Sequence, residues 1–162
     1  MSEQISGDGW IDCLCGNRHW GKFGAAGLLA YRDLGQGLEI LLQHRAPWSH
    51  NGDTWGLPGG ALNRSESAVD GAMREAFEEV GIDRSRLHPC ANFIDDHGSW
   101  QYETIIALAE QSAEPTALND ESVAVKWVAL NLVEQYPLHP SFAKSWPALR
   151  EVLIQQIGRA HV

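Results

Sequence analysis

The stretch Gly60–Ile82, GALNRSESAVDGAMREAFEEVGI, decides the reading of this 162-residue chain. Val69, Ala72, Met73, Ala76 and Val80 recur within it at helical spacing, one apolar stripe that predicts an amphipathic helix. Asn63 reads as the N-cap, with Glu66 three residues on completing a capping box. Gly81 reads as the C-terminal stop. Glu75, Glu78 and Glu79 stand at i, i+3 and i+4, so on a helix they share a face with Cβ atoms about 5–6 Å apart. An acidic run of this kind, standing alone, is ordinarily a solvated helix face. A hard divalent cation with oxygen ligands gives the three anions another reason to gather. The context favours the cation. Trp55-Gly-Leu-Pro-Gly-Gly60 leads straight into the helix, and consecutive glycines let backbone approach a ligand and turn a carbonyl inward. Arg74 adjoins the triad and can reach back toward Glu66.

These residues resemble the signature of the Nudix hydrolases. That signature is a glycine, five residues, a glutamate, seven residues, then Arg-Glu-apolar-x-Glu-Glu-x-Gly-apolar. Gly60, Glu66, Arg74, Glu75, Glu78, Glu79 and Gly81 hold the fixed positions, and Ala76 and Ile82 fill the apolar ones. Ala76 is smaller than the residue usual there, which touches packing and no chemistry. The resemblance implies that Glu75, Glu78 and Glu79 bind Mg²⁺ or Mn²⁺ together with the carbonyl of Gly59. It implies that Arg74 orients Glu75, with Glu66 as the structural partner of Arg74. The implied reaction is attack of a metal-activated water on one phosphorus of a diphosphate. The first choice of general base is Glu75; the acids of later loops, Asp95, Asp96, Glu103 and Glu121, are the alternatives.

Specificity sits outside the signature. Leu41-Leu42-x-x-Arg45 matches only the start of the stretch found in coenzyme A hydrolases. The Ser-Gln-Pro-Trp run of NADH hydrolases is absent. His97 and Gly98 stand where ADP-ribose hydrolases often carry a proline, and Tyr102 falls too late for the tyrosine of dinucleoside polyphosphate hydrolases. The expectation is a nucleoside triphosphate pyrophosphohydrolase, with oxidised dGTP one candidate substrate. A pyrophosphatase of ADP-ribose or another nucleotide sugar or dinucleotide is the alternative, and a catalytically silent nucleotide-binding regulator the third. Arg45 is read as equally suited to a phosphate or a surface acid. Trp48, Trp100 and Tyr102 read first as packing residues and second as base-stacking ones; Gly60 completes the expected substrate contacts.

Outward from the signature, Ala25–Arg32 and Leu38–His44 read as a hairpin joined by Asp33–Gly37, and Arg45–Pro58 as a loop. Residues 87–94, 101–109 and 122–130 read as strands, and 141–157 as an amphipathic helix burying Trp146, Leu149, Val152 and Leu153. Strands, helix, strands, helix in this order predict a single α/β domain over residues 1–162, an α/β/α sandwich with a mixed central sheet. Residues 1–9 are expected to be flexible, and Asp12–Trp20 polar and turn-rich.

Composition sets the outer bounds. A net charge of −9 disfavours duplex DNA, capped RNA and anionic membranes as partners, and suits a metal that offsets carboxylates. With no apolar leader and no apolar run of spanning length, the expectation is a cytoplasmic enzyme acting on a small nucleotide, as monomer or homodimer. The three cysteines, Cys13, Cys15 and Cys90, build no disulfide framework. Cys13-x-Cys15 with His19 hints at zinc, but the spacing is tight and a fourth ligand is missing, so ordinary thiols are favoured. His97 and His139 read as structural or solvated.

Overall fold

The computed structural model describes residues 5–116 and 122–160. Two three-residue strands, β1 (Trp10–Asp12) and β2 (Arg18–Trp20), form a separate antiparallel hairpin. Seven strands form the main sheet: β3 (Ala25–Asp33), β4 (Leu38–Arg45), β5 (Trp55–Gly56), β6 (Gly59–Ala61), β7 (Leu87–Asp96), β8 (Gln101–Ala109) and β9 (Ser122–Ala129). The main path runs β5-β4-β3-β8-β7, with β6 also on β3 and β9 also on β4. β3 and β8 are parallel, Ala25 opposite Tyr102 through Tyr31 opposite Leu108, while the other pairs are antiparallel. The sheet is therefore mixed, as the element order predicts.

Helices cover both faces. α1 (Ala68–Val80) lays Ala72, Met73, Ala76 and Val80 on Ala26, Leu28, Ala30, Ile105 and Ala107. α2 (Pro140–Ala160) lays Phe142, Trp146, Leu149 and Leu153 on Leu29, Tyr31, Ile40, Leu42 and Ile106. Alternate residues of β3 thus serve opposite layers, the period-2 geometry of a strand buried on both sides. Burying one such aliphatic side chain stabilises by about 1.5–3 kcal/mol. Among the described residues, no helix is long and apolar enough to cross a membrane.

Two local expectations are corrected, on the N-cap of α1 and on Asp12–Trp20. The N-cap of α1 is Ser67, not Asn63: its hydroxyl accepts from Asp70 N–H at 3.1 Å. Asn63 and Glu66 still make the reciprocal half of a capping box, Asn63 N–H donating to Glu66 Oε1 at 3.1 Å, but they close the approach loop. Glu66 is turned there because its carboxylate is engaged by Arg74. Within the stretch expected to be flexible, three backbone bonds reach the body: Arg64 N–H donates to Ile5 O, Lys22 N–H to Gly7 O and Gly21 N–H to Gly9 O, at 2.7–2.8 Å. Asp12–Trp20 contains strand residues at both ends, because His19 returns opposite Ile11.

Candidate functional site

The site begins at the glycine turn. β6 pairs with β3, Gly59 opposite Gly27 and Gly60 opposite Ala26, which sets the turn beside the last two turns of α1. Glu79, only 7% exposed, accepts the Gly59 N–H at 3.2 Å. The Glu75 carboxyl lies against Gly60, where a Cβ would stand 2.6 Å from its Oε1. Glu75 and Glu79 also share a side-chain hydrogen bond. Two carboxylates cannot share such a contact unless a proton or a cation sits with them. Burial, and then the charge of Glu78, holds Glu75 above the usual carboxylate range against the pull of Arg74.

Arg74 organises the acids. Its Nε and Nη2 clamp the two oxygens of Glu66, both at 2.9 Å, and Nη2 also donates to Ala61 O at 3.1 Å. Its Nη1 donates to Glu75 Oε1 at 3.0 Å and to Glu78 Oε2 at 3.5 Å. The Glu66 side chain is 4% exposed, and the Arg74 hydrogen bonds hold it below the usual range. Glu66 therefore fixes the guanidinium, and the guanidinium aims Glu75.

The three acids expected to bind metal do not converge on one point. The Glu78 side chain is 54% exposed and leans toward Arg74. Among the described residues, only Cys13, Cys15 and His19 offer three ligand atoms all within 4.8 Å of one another. The cause is charge. Three carboxylates, Glu66, Glu75 and Glu78, face one guanidinium, and the most exposed of them, Glu78, leaves its neighbours for the cation at hand. The donor set nonetheless fits a hard divalent ion: two sheltered carboxyls in contact, a third one turn away with room to swing, and the Gly59 carbonyl in the same turn.

The remaining candidates divide. Tyr102 is half-buried on β8, with its hydroxyl in a slot that exists because Gly27 and Gly59 lack side chains. Burial first, then Glu79 and Glu75, push its phenol far up, so it stays a neutral donor beside the turn. Arg45 is half-buried and donates to His50 O at 3.0 Å; among the described residues no carboxylate pairs with it. Trp48 is 72% exposed, which overturns its packing reading and leaves its ring free to stack. Trp100 is committed elsewhere, stacked on His19 at 4.1 Å.

Of the alternative bases, Asp96 accepts from Gly98 N–H, Glu103 from Asn92 Nδ2 and Asp95 contacts His97 Nε2, each partnered within β7, β8 or the loop between them. Glu121 lies outside the described residues. His139 proves more embedded than its sequence suggests. Its Nδ1 accepts from Ser141 N–H at 3.1 Å, and its Nε2 faces the Asn51 amide at 3.2 Å. The Gly27 slot escapes sequence reading altogether, because Ala25–Arg32 looks like any core strand until β8 is laid parallel to it.

An acidic helix face, a glycine turn against it and an arginine clamp are the parts the sequence signature of the diphosphate hydrolases calls for. Comparison with known proteins agrees. The NUDIX domain model matches residues 21–150. A Mycobacterium tuberculosis relative named "Putative 8-oxo-dGTP diphosphatase 3" is 44% identical over 92% of this chain and 72% of its own length. A Bifidobacterium longum "Nucleoside triphosphate pyrophosphatase/Nudix hydrolase fusion protein" is 42% identical over 87% of this chain, which spans only 30% of that relative. Among solved structures, the Nudix hydrolase RenU of M. smegmatis superposes with a TM-score of 0.85 at 41% identity, covering 92% of this chain and 96% of that one. A C. elegans Ap4A hydrolase, at 23% identity and a TM-score of 0.68, shares the fold. The chain belongs to the Nudix family.

Proposed function

We propose that this chain is a metal-dependent pyrophosphohydrolase of nucleoside triphosphates, with oxidised dGTP as the first substrate to test. The observation that carries the reading is the sheltered Glu75–Glu79 contact against Gly59 and Gly60, aimed by Arg74. The names of the two bacterial relatives support the substrate class.

Glu75, Glu78, Glu79 and the Gly59 carbonyl would hold Mg²⁺ or Mn²⁺. Such an ion lowers the pKa of bound water and neutralises developing phosphate charge. The chain's own residues do the rest. Arg74 and Glu66 hold Glu75 in one rotamer, which keeps its free oxygen in place. Burial holds its carboxyl above the usual carboxylate range, which strengthens it as a proton acceptor, so Glu75 is the general base of this reading. Tyr102, kept neutral, offers its hydroxyl beside the turn. Arg45, without an acid partner among the described residues, is free to meet a phosphate, and exposed Trp48 to cover a base.

The experiment is a panel of oxidised dGTP, canonical triphosphates, ADP-ribose and dinucleoside polyphosphates with Mg²⁺, products identified by mass, for the native chain and for Glu78→Gln and Glu79→Gln. Triphosphates should give monophosphate and pyrophosphate. Each variant should lose roughly 10²–10³-fold in kcat while retaining its native melting profile, the scale for removing a transition-state stabiliser. Undiminished turnover in both variants would remove the site from consideration.

A further inference from the structure

We propose that Cys13, Cys15 and His19 form a second metal site, specific for a soft ion such as Zn²⁺ and separate from the acidic helix face. Their ligand atoms all lie within 4.8 Å of one another, and Cys15 Sγ is 3.1 Å from His19 Nε2. Around tetrahedral zinc, with bonds of about 2.3 Å to sulfur and about 2.0 Å to nitrogen, sulfur and nitrogen sit about 3.6 Å apart and two sulfurs about 3.8 Å. A small adjustment of the side chains therefore suffices. Two thiolates and an imidazole select zinc over the hard ions suited to the carboxylates of α1.

The spacing that counts against zinc in the sequence is answered by the backbone. Gly16 N–H donates to Cys13 O and Cys13 N–H to Asn17 O, both at 3.0 Å, so the chain turns back within the Cys-Leu-Cys-Gly stretch. β2 then returns His19 opposite Ile11, beside both sulfurs. Cys15 N–H points at Cys13 Sγ at 3.5 Å and the Ser99 hydroxyl reaches the same sulfur at 3.2 Å, donors of the kind that support a coordinated thiolate. The fourth position falls to a water. Binding would release a proton from each thiol and take His19 neutral, with no change of oxidation state.

The hairpin has a physical need for a staple. Its strands are three residues each, it makes its own two-stranded sheet, and Trp10 and Trp20 are about half exposed. Isolated two-stranded hairpins are marginal in water. This one also props the β7–β8 loop: Leu14 N–H donates to Ser99 Oγ at 2.9 Å, and His19 stacks on Trp100.

The test uses the full chain purified under reducing conditions and loaded with Zn²⁺ or Co²⁺. The native protein should retain about one zinc ion per chain after gel filtration without added metal. Its Co²⁺ form should show a thiolate-to-cobalt charge-transfer band with strong tetrahedral visible absorption. Exposed Cys15→Ser and half-buried His19→Asn should lose both signals, while Glu78→Gln should keep both even where hydrolysis fails. Native protein that binds no zinc, that keeps its zinc in both Cys15→Ser and His19→Asn, or that forms a Cys13–Cys15 disulfide in place of a metal site under these conditions would overturn the proposal.

Discussion

Replacing Arg74 by methionine removes the guanidinium and keeps the packing of the stem. Five hydrogen bonds go with it, two of them to a Glu66 carboxylate whose side chain is 4% exposed. Breaking a buried ion pair from one side costs about 3–5 kcal/mol, because the remaining charge is stranded. For a domain of this size each kcal/mol lowers Tm by about 2–4 °C, so Arg74→Met should melt roughly 6–20 °C lower. Urea unfolding gives the free energy directly. Arg74→Met with Glu66→Gln should recover part of the loss, since the stranded charge is then gone; the double-mutant cycle isolates that coupling. Arg74→Lys keeps the charge but cannot span Glu66 and Glu75 together, and should fall between. A single-variant cost below about 1 kcal/mol, the scale of an exposed pair, would refute the clamp as described.

Other outcomes follow from the same geometry. Gly60→Ala should depress kcat and cost only modestly in urea unfolding, because the new Cβ would push the Glu75 carboxyl off its Arg74 contact without meeting backbone; unchanged kcat would contradict this. Gly81→Ala should cost about 1–2 kcal/mol in urea unfolding, since Gly81 caps α1 at φ 69°. Burial first, then the charges of Arg45 and His50, lower His139 to about 4. The unfolded ring takes a proton near pH 6.5, so the contribution of His139 to stability is whole above that pH and is lost as pH falls toward 4. His139→Asn should flatten the stability profile in that window, and an unchanged slope would show that His139 is not the group responsible.

What the sequence discloses depends on how local the cause is. The α1 stripe, the Gly81 stop and the Arg74–Glu66 pairing are set by residues within a few turns of one another, so spacing alone suffices. The seat of the N-cap is less legible, because Asn63 and Ser67 both carry capping side chains and the choice between them is made by Arg74 drawing Glu66 aside. The Tyr102 slot depends on register across β3 and β8, which no local pattern carries. The nearness of Cys13, Cys15 and His19 is hidden for a similar reason: spacing along the chain is a poor guide to distance when a hairpin doubles back between Cys15 and His19.

The parallel pairing of Ala25 with Tyr102 has a bearing on how the protein is made. During synthesis β3 emerges early, with α1 soon after, but its neighbour arrives only once α1 and β7 have left the ribosome. Until then one edge of β3 has no partner, and the apolar stripe of α1 can cover only half a sheet. Closing so long a loop delays the gain from its contacts, so the nascent chain passes through a stage with an open, sticky strand. Chaperone demand should therefore be greatest just before β8 is complete, and a circular permutant that brings β8 next to β3 in the chain should collapse sooner.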